Sequence, residues 1–209
     1  MAVRRIESHF IEGGAGRVEA LLEEPEEAPL REACLVCHPH PLYGGTLDNK
    51  VVFRAARGLQ KAGLATLRFN FRGVGQSLGE HDHGKGELED AGVLMDWLRA
   101  RYPELPYAAA GFSFGSRIAL RLGCLFADVR RVIGVGVPTR SSNLDFLASC
   151  VTPKIFVQST NDEHGPKREL EALYGTFAEP KQMYWVEASD HFFSGGLDGL
   201  EQTIYQLKA

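Results

Sequence analysis

The sequence predicts an α/β fold, a mostly parallel sheet with helices on both faces. Three observations predict it. After an opening hairpin-like pair, apolar runs of strand length alternate with stretches of helical apolar spacing. Residues 111–115 read Gly-Phe-Ser-Phe-Gly, between an apolar run and a helix-like stretch. Side chains able to do acid–base chemistry follow other strand-like runs, where an open parallel sheet collects its functional groups.

The elements are read in order from pattern and punctuation. Residues 4–11 and 17–23 alternate as two strands across a Gly-rich connection, and residues 24–29 form a polar loop. Residues 33–37 are a short apolar strand, ended by His38-Pro-His-Pro-Leu-Tyr-Gly-Gly, which cannot be regular structure. Residues 49–62 have helical spacing and stop at Gly63. A strand at 65–71 leads into Arg72-Gly-Val-Gly-Gln-Ser and then a His- and Gly-rich flexible loop at 79–85. Residues 87–102 form a helix with Leu88, Ala91, Leu94, Met95 and Leu98 on one face. The Gly-Phe-Ser-Phe-Gly strand and its helix follow. Strands at 131–137, 154–159 and 182–187 then alternate with helices at 141–149, 168–177 and 197–208. No linker or repeat divides the chain, so residues 1–209 are expected to form a single domain.

With 44% apolar and 24% charged residues over 209 positions, the chain has the balance of a soluble globular protein with a sizeable core. A net charge of −4 without a long basic cluster argues against a nucleic-acid surface. The first residues lack the apolar core of a secretory signal, and no window approaches a membrane span, so a cytoplasmic protein without membrane contact is expected. Cys34 and Cys37 lie in a strand-like run rather than at a helix start. They are therefore expected to be buried structural thiols in a reducing compartment; Cys124 and Cys150 are the other two cysteines.

Ser113 sits at the centre of the Gly-x-Ser-x-Gly pentapeptide, held on a sharp strand-to-helix turn that would expose its hydroxyl. A serine hydroxyl needs a base, and His191 follows the last strand in a polar turn. An imidazole in that role needs a carboxylate to hold its tautomer. Asp162, just after strand 154–159, is favoured over its neighbour Glu163 because it comes sooner after the strand end. An oxyanion hole requires two aimed N–H donors. The N–H of Phe114 is one. The second is expected from the loop after strand 33–37, where Pro39 and Pro41 have no N–H and His40, Leu42 and Tyr43 are the candidates. His38 is read as a brace for that loop.

The pairs His38-x-His40 and His81-x-His83 can be read as metal ligands. They lack the clustered acids or HExxH spacing of common hydrolytic sites, so neither a metal nor any cofactor is expected.

The stretches CHPHPLYGGTLDNKVV, LRFNFRGVGQS, GFSFGS, STNDEHGP and ASDHFF together resemble the α/β-hydrolase superfamily. Within it, they are similar to small bacterial lid-less serine hydrolases related to the dienelactone-hydrolase group. The resemblance implies about eight strands with the second antiparallel, the chain order Ser113, Asp162, His191 for a triad, and carboxylesterase-type activity on small acyl esters. It aligns His40 best as the second oxyanion donor, with Leu42 the runner-up. Two departures stand out: Asn70 replaces an aspartate common in the superfamily, and Ser113 stands where dienelactone hydrolases use cysteine. Arg72, Gly73, Gly75 and Ser77 are expected to brace the sheet edge rather than touch substrate.

Lipases commonly insert a helical cap between the sixth and seventh strands. Residues 138–153 provide room for one short helix, so no cap domain and an open site are expected. Tyr43, Leu42 and Phe192 are expected to contact a small-molecule ester, with Phe112, Phe114 and Phe193 as further acyl-pocket walls or simple core. A thioesterase or small peptidase with the same triad, a metal-dependent hydrolase, and a non-catalytic binding protein on the same fold are the alternatives.

Overall fold

The computed structural model describes residues 5–140 and 143–207. Eight strands form one sheet: β1 (Ile6–Gly13), β2 (Gly16–Glu23), β3 (Glu32–Cys37), β4 (Leu64–Phe69), β5 (Tyr107–Phe112), β6 (Val129–Val135), β7 (Lys154–Ser159) and β8 (Lys181–Val186). Five helices alternate with them: α1 (Lys50–Lys61), α2 (Lys85–Arg101), α3 (Phe114–Leu125), α4 (Lys167–Tyr174) and α5 (Leu197–Tyr205). The spatial order is β1-β2-β4-β3-β5-β6-β7-β8. β2 runs antiparallel to both β1 and β4, and every other neighbouring pair is parallel. This is the expected mostly parallel architecture with an antiparallel second strand.

Burial on both faces explains why the central strands read as unbroken apolar runs. On β3 the period of two sends Ala33, Leu35 and Cys37 into one core, with Leu94 and Leu98 of α2 and Ile118 and Leu122 of α3. Cys34 and Val36 enter the other, with Val51 and Leu59 of α1 and Leu200 and Ile204 of α5. Asn49 caps α1, its Oδ1 accepting the N–H of Val51 at 2.9 Å, a contact worth about 1 kcal/mol.

The chain leaves β3 through α1 to β4, then crosses back through α2 to β5 on the other side of β3. That reversal opens a crevice beyond the carboxyl ends of β3 and β5, the ends that carry His38 and Ser113.

Several expected boundaries move for identifiable reasons. β4 ends at Phe69 because the N–H of Asn70 goes to the Glu19 carbonyl (2.9 Å) and that of Phe71 to the His38 ring (3.0 Å). β6 ends at Val135, and the N–H of Val137 donates to the Gln158 side chain at 2.8 Å. α4 stops at Tyr174, and Phe177 folds into the core. Ser141 and Ser142, which open the expected helix at 141–149, lie outside the described residues, as do Arg4 and Lys208. The rest of that segment forms only a 3-10 turn, Asp145–Ala148, started by the Asn143 side chain accepting the Asp145 N–H. Among the described residues, no cap domain rises between β6 and β7.

Cys124 and Cys150 form a disulfide joining the last turn of α3 to the approach to β7. Their separation of 26 residues carries no local signal; the fold brings the Cα atoms to 5.3 Å, within bridging range. Four reduced thiols are therefore not available as an argument for a reducing compartment. Cys34 and Cys37 are free and buried. Among the described residues, no helix is long and apolar enough to cross a membrane.

Candidate active site

Ser113 occupies the turn between β5 and α3 at φ 55°, ψ −119°, a left-handed conformation that strains a residue with a side chain. The surroundings enforce it. A Cβ on Gly111 would strike the Gly115 carbonyl, and one on Gly115 would strike the carbonyls of Cys37 and His38. The backbone can pass so tightly from strand to helix only with glycine at both positions. The Ser113 N–H is held by the Val135 carbonyl at 3.0 Å, and its own carbonyl accepts the Ser116 hydroxyl at 2.6 Å.

His191, Ser113 and Asp162 meet, although 78 and 29 residues separate the two pairs. His191 Nε2 lies 2.9 Å from Ser113 Oγ, and Nδ1 lies 2.8 Å from Asp162 Oδ2. A carboxylate can only accept, so Nδ1 carries the proton and Nε2 is left to accept from the serine. Asp162 and His191 are both buried. Glu163 points elsewhere: its Oε2 accepts the backbone N–H of His191 at 2.9 Å.

The Asp162 carboxylate is enclosed by donors. Oδ1 accepts the N–H groups of His164 (2.8 Å) and Gly165 (2.9 Å), an Asx turn closed by the Gly that follows. Oδ2 accepts Gln158 Nε2 at 2.8 Å besides the imidazole. Gln158, fully buried on β7, escaped the sequence reading. Its amide also bonds Val137 and Gly165, locking the acid loop to the end of β6. A glutamine directly after the apolar run Ile155-Phe-Val157, at the strand end that leads to Asp162, was the available signal.

The loop after β3 is braced as expected. Phe71 donates its N–H to His38 Nε2 at 3.0 Å, which forces the His38 proton onto Nδ1, where it goes to the Pro39 carbonyl at 2.6 Å. Burial pushes this imidazole down to about 4, so it stays neutral. Both its nitrogens are committed to backbone, which leaves neither for a metal. Among the oxyanion candidates, the Leu42 N–H donates to His40 Nδ1 (3.2 Å) and the Tyr43 N–H to the His40 carbonyl (3.1 Å). The N–H groups of His40 and Phe114 have no partner among the described residues.

A cleft of about 260 Å³ opens over Ser113, lined by His40, Tyr43, Phe114, His164, His191 and Phe192, with Arg117 on one wall. Tyr43 and Phe192 thus reach the cleft. Leu42 does not: its side chain lines a second cavity with Pro41, Arg72 and His81. Phe112 and Phe193 are buried in the core, with the Phe112 ring tilted by 31° against the His191 ring at 4.8 Å between centroids. Sequence reasoning missed Arg117 and His164; nothing in a helix-forming Ser-Arg-Ile or a polar loop marks a side chain as cleft-facing.

The Arg72 loop is tied to α2, to β2 and to the end of β4. Arg72 forks onto Asp90 (2.8 and 2.9 Å), and Ser77 Oγ donates to the Asn70 carbonyl at 2.7 Å. The His81 loop is not a flexible tether: buried Glu87 accepts the N–H groups of Asp82 (2.9 Å) and Gly84 (2.7 Å).

Known proteins share this arrangement of elements. The family model described as an alpha/beta hydrolase domain matches residues 37–201. A Rickettsia prowazekii protein, RP471, is 33% identical over 193 residues, 88% of this chain and 81% of that one. An alpha-beta serine hydrolase homologue from Coxiella burnetii is 33% identical, with a TM-score of 0.90 over 97% of each chain. A serine hydrolase without a lid from Xanthomonas campestris is 29% identical, with a TM-score of 0.89 over 96% of this chain and 92% of that one. With its eight-stranded sheet, its strained serine turn and no cap among its described residues, the chain belongs to the α/β-hydrolase family, in the lid-less form.

Proposed function

We propose that the protein is a serine carboxylesterase that cleaves small or short-acyl esters through an acyl-enzyme. The observation that carries this reading is the continuous line from Asp162 Oδ2 through the His191 ring to Ser113 Oγ, with spacings of 2.8 and 2.9 Å. Ser113 Oγ attacks the ester carbonyl while His191 Nε2 takes its proton. The carbonyl oxygen becomes an oxyanion facing the two unengaged N–H groups, those of Phe114 and His40. The Phe114 donor also starts α3, whose positive end favours the developing charge. The imidazolium, stabilised by Asp162, protonates the departing alcohol. Water then enters, gives its proton to His191 and releases the acid, restoring Ser113.

The small volume of the cleft and the lack of a cap among the described residues favour short acyl groups. Long acyl chains need an extended apolar surface that this rim does not offer. The test is hydrolysis of p-nitrophenyl esters of increasing acyl length, with a fluorophosphonate and with a chelator. Turnover that falls with chain length, is lost to fluorophosphonate and ignores the chelator is expected, as is loss of covalent labelling in Ser113→Ala. Labelling that persists in Ser113→Ala, or activity lost only to the chelator, overturns the reading.

A further inference from the structure

The fold pairs its deeply buried arginines. Arg68 bonds Glu23 at 2.8 Å, Arg72 bonds Asp90 at 2.8 Å, and Arg131 bonds Glu32. Arg117 is treated differently. It stands four residues after Ser113, in the first turn of α3, and lines the same cleft as that serine. Among the described residues it has neither an ion pair nor a hydrogen-bond partner, and its buried Nε is unsatisfied. Its guanidinium carbon lies 5.9 Å from the centroid of the Phe114 ring.

The charge that acts on Arg117 itself, that of Arg121, is of its own sign, while Glu87 opposes the cationic groups around the neighbouring His40. Burial, then Arg121, pushes the Arg117 guanidinium down from its ordinary value. Burial, then His81 and Arg117, lowers the His40 imidazole. No Asp or Glu lines the cleft among the described residues; its basic walls are Arg117 and the rings of His40, His164 and His191. A half-buried guanidinium with an empty N–H is costly unless an acceptor arrives, and its planar fork matches a carboxylate. A guanidinium donor and a nucleophile lining one cleft can engage two parts of a single substrate, one of them anionic.

We propose that Arg117 is a specificity-determining residue that binds a carboxylate on the substrate, so that the preferred ester carries a carboxylate a few bonds from its scissile carbonyl. This deepens, and rests on, the serine-esterase reading above. The carboxylate can belong to the acyl part, as in a monoester of a short dicarboxylic acid, or to the alcohol part.

Two matched pairs of esters distinguish these sources. In the first, mono-p-nitrophenyl glutarate is compared with the p-nitrophenyl ester of 5-methylhexanoic acid, its neutral isostere. In the second, 3-carboxyphenyl butyrate is compared with 3-acetylphenyl butyrate. Uncatalysed hydrolysis is subtracted throughout. The wild-type protein is expected to favour the carboxylate member of one pair by about 10- to 100-fold in kcat/KM, mostly through KM, the range that charge-assisted hydrogen bonds supply. Which pair shows the preference tells which side carries the anion. Arg117→Met is expected to bring that ratio close to one, and Arg117→Lys to retain part of it. Because each ratio is internal to one protein sample, partial misfolding of a variant does not mimic the effect. Wild-type turnover that favours neither carboxylate, or a preference that survives Arg117→Met, overturns the inference while leaving the esterase reading intact. Absence of both turnover on all four esters and fluorophosphonate labelling overturns the two together.

Discussion

Glu163 and His191 are joined through the wrong atoms for acid–base chemistry: the carboxylate accepts the backbone N–H at 2.9 Å and leaves the imidazole to Asp162. Two adjacent acids therefore divide one task. Asp162 orients the ring, while Glu163 fixes the backbone that carries it.

Asp162→Asn and Glu163→Gln should separate these roles. An amide at position 162 can present N–H to His191 Nδ1 and so favour the wrong tautomer. A fall in kcat of about 10³- to 10⁴-fold is expected. Glu163→Gln keeps an oxygen for the backbone N–H and is expected to cost less than about 10-fold. Steady-state kinetics on one short-chain p-nitrophenyl ester decides; the reverse ranking would assign the acid to Glu163.

His38 couples stability to pH. Burial holds its folded-state value at about 4, against 6.5 for an ordinary histidine. Between these values the unfolded chain binds the extra proton, so stability rises with pH. The contribution is complete above about pH 6.5 and is lost as pH falls toward 4, in total about 3 kcal/mol. Urea unfolding at pH 7 and pH 4.5 should show it. In His38→Gln the loss across that window should shrink by a comparable amount; an unchanged loss would place the titration elsewhere.

Asn70 is explained by its partners. Its Oδ1 accepts the Leu47 N–H at 2.8 Å, and its Nδ2 donates to Glu19 Oε2 at 2.7 Å. An aspartate could keep the first contact but would face Glu19 with a second carboxylate. Asn70→Asp is expected to destabilise by about 3 kcal/mol at neutral pH. The penalty should diminish toward pH 5, as the carboxyl pair takes up a proton. Unfolding midpoints at the two pH values test this, and a penalty independent of pH would exclude the charge explanation.

The disulfide gives a count as well as an energy. Burial pushes the thiols of Cys34 and Cys37 up, so neither should react with a thiol reagent in the native protein. Unfolding without reductant should expose two thiols, and prior reduction four. For a bridge across 26 residues, Cys150→Ser is expected to cost about 3 kcal/mol. Four reactive thiols on unfolding without reductant would disprove the bridge.

Much of this was legible along the chain because it is local. Alternating runs set strands and helices to within a few residues, since periodicity of two or near four follows from backbone geometry. The Gly111-Phe-Ser-Phe-Gly115 turn announced itself because its glycines are demanded by contacts within a few residues and with one neighbouring loop. The short helix expected at 141–149 has other bounds in its described part for the opposite reason. Its described part is a brief 3-10 turn between a side-chain cap at Asn143 and the tether at Cys150.

By itself, the sequence determined the layered sheet, the strained serine, and the chemical kinds and chain order of Ser113, Asp162 and His191, because element type and strand-end position are encoded in neighbours. Only the tertiary structure decided that Asp162 rather than Glu163 meets the imidazole, that Gln158 holds that acid, that Cys124 joins Cys150, and that Arg117 faces the cleft without a partner. Each of these depends on distances between segments far apart in the chain, and residue order constrains such distances only after the sheet has closed around them.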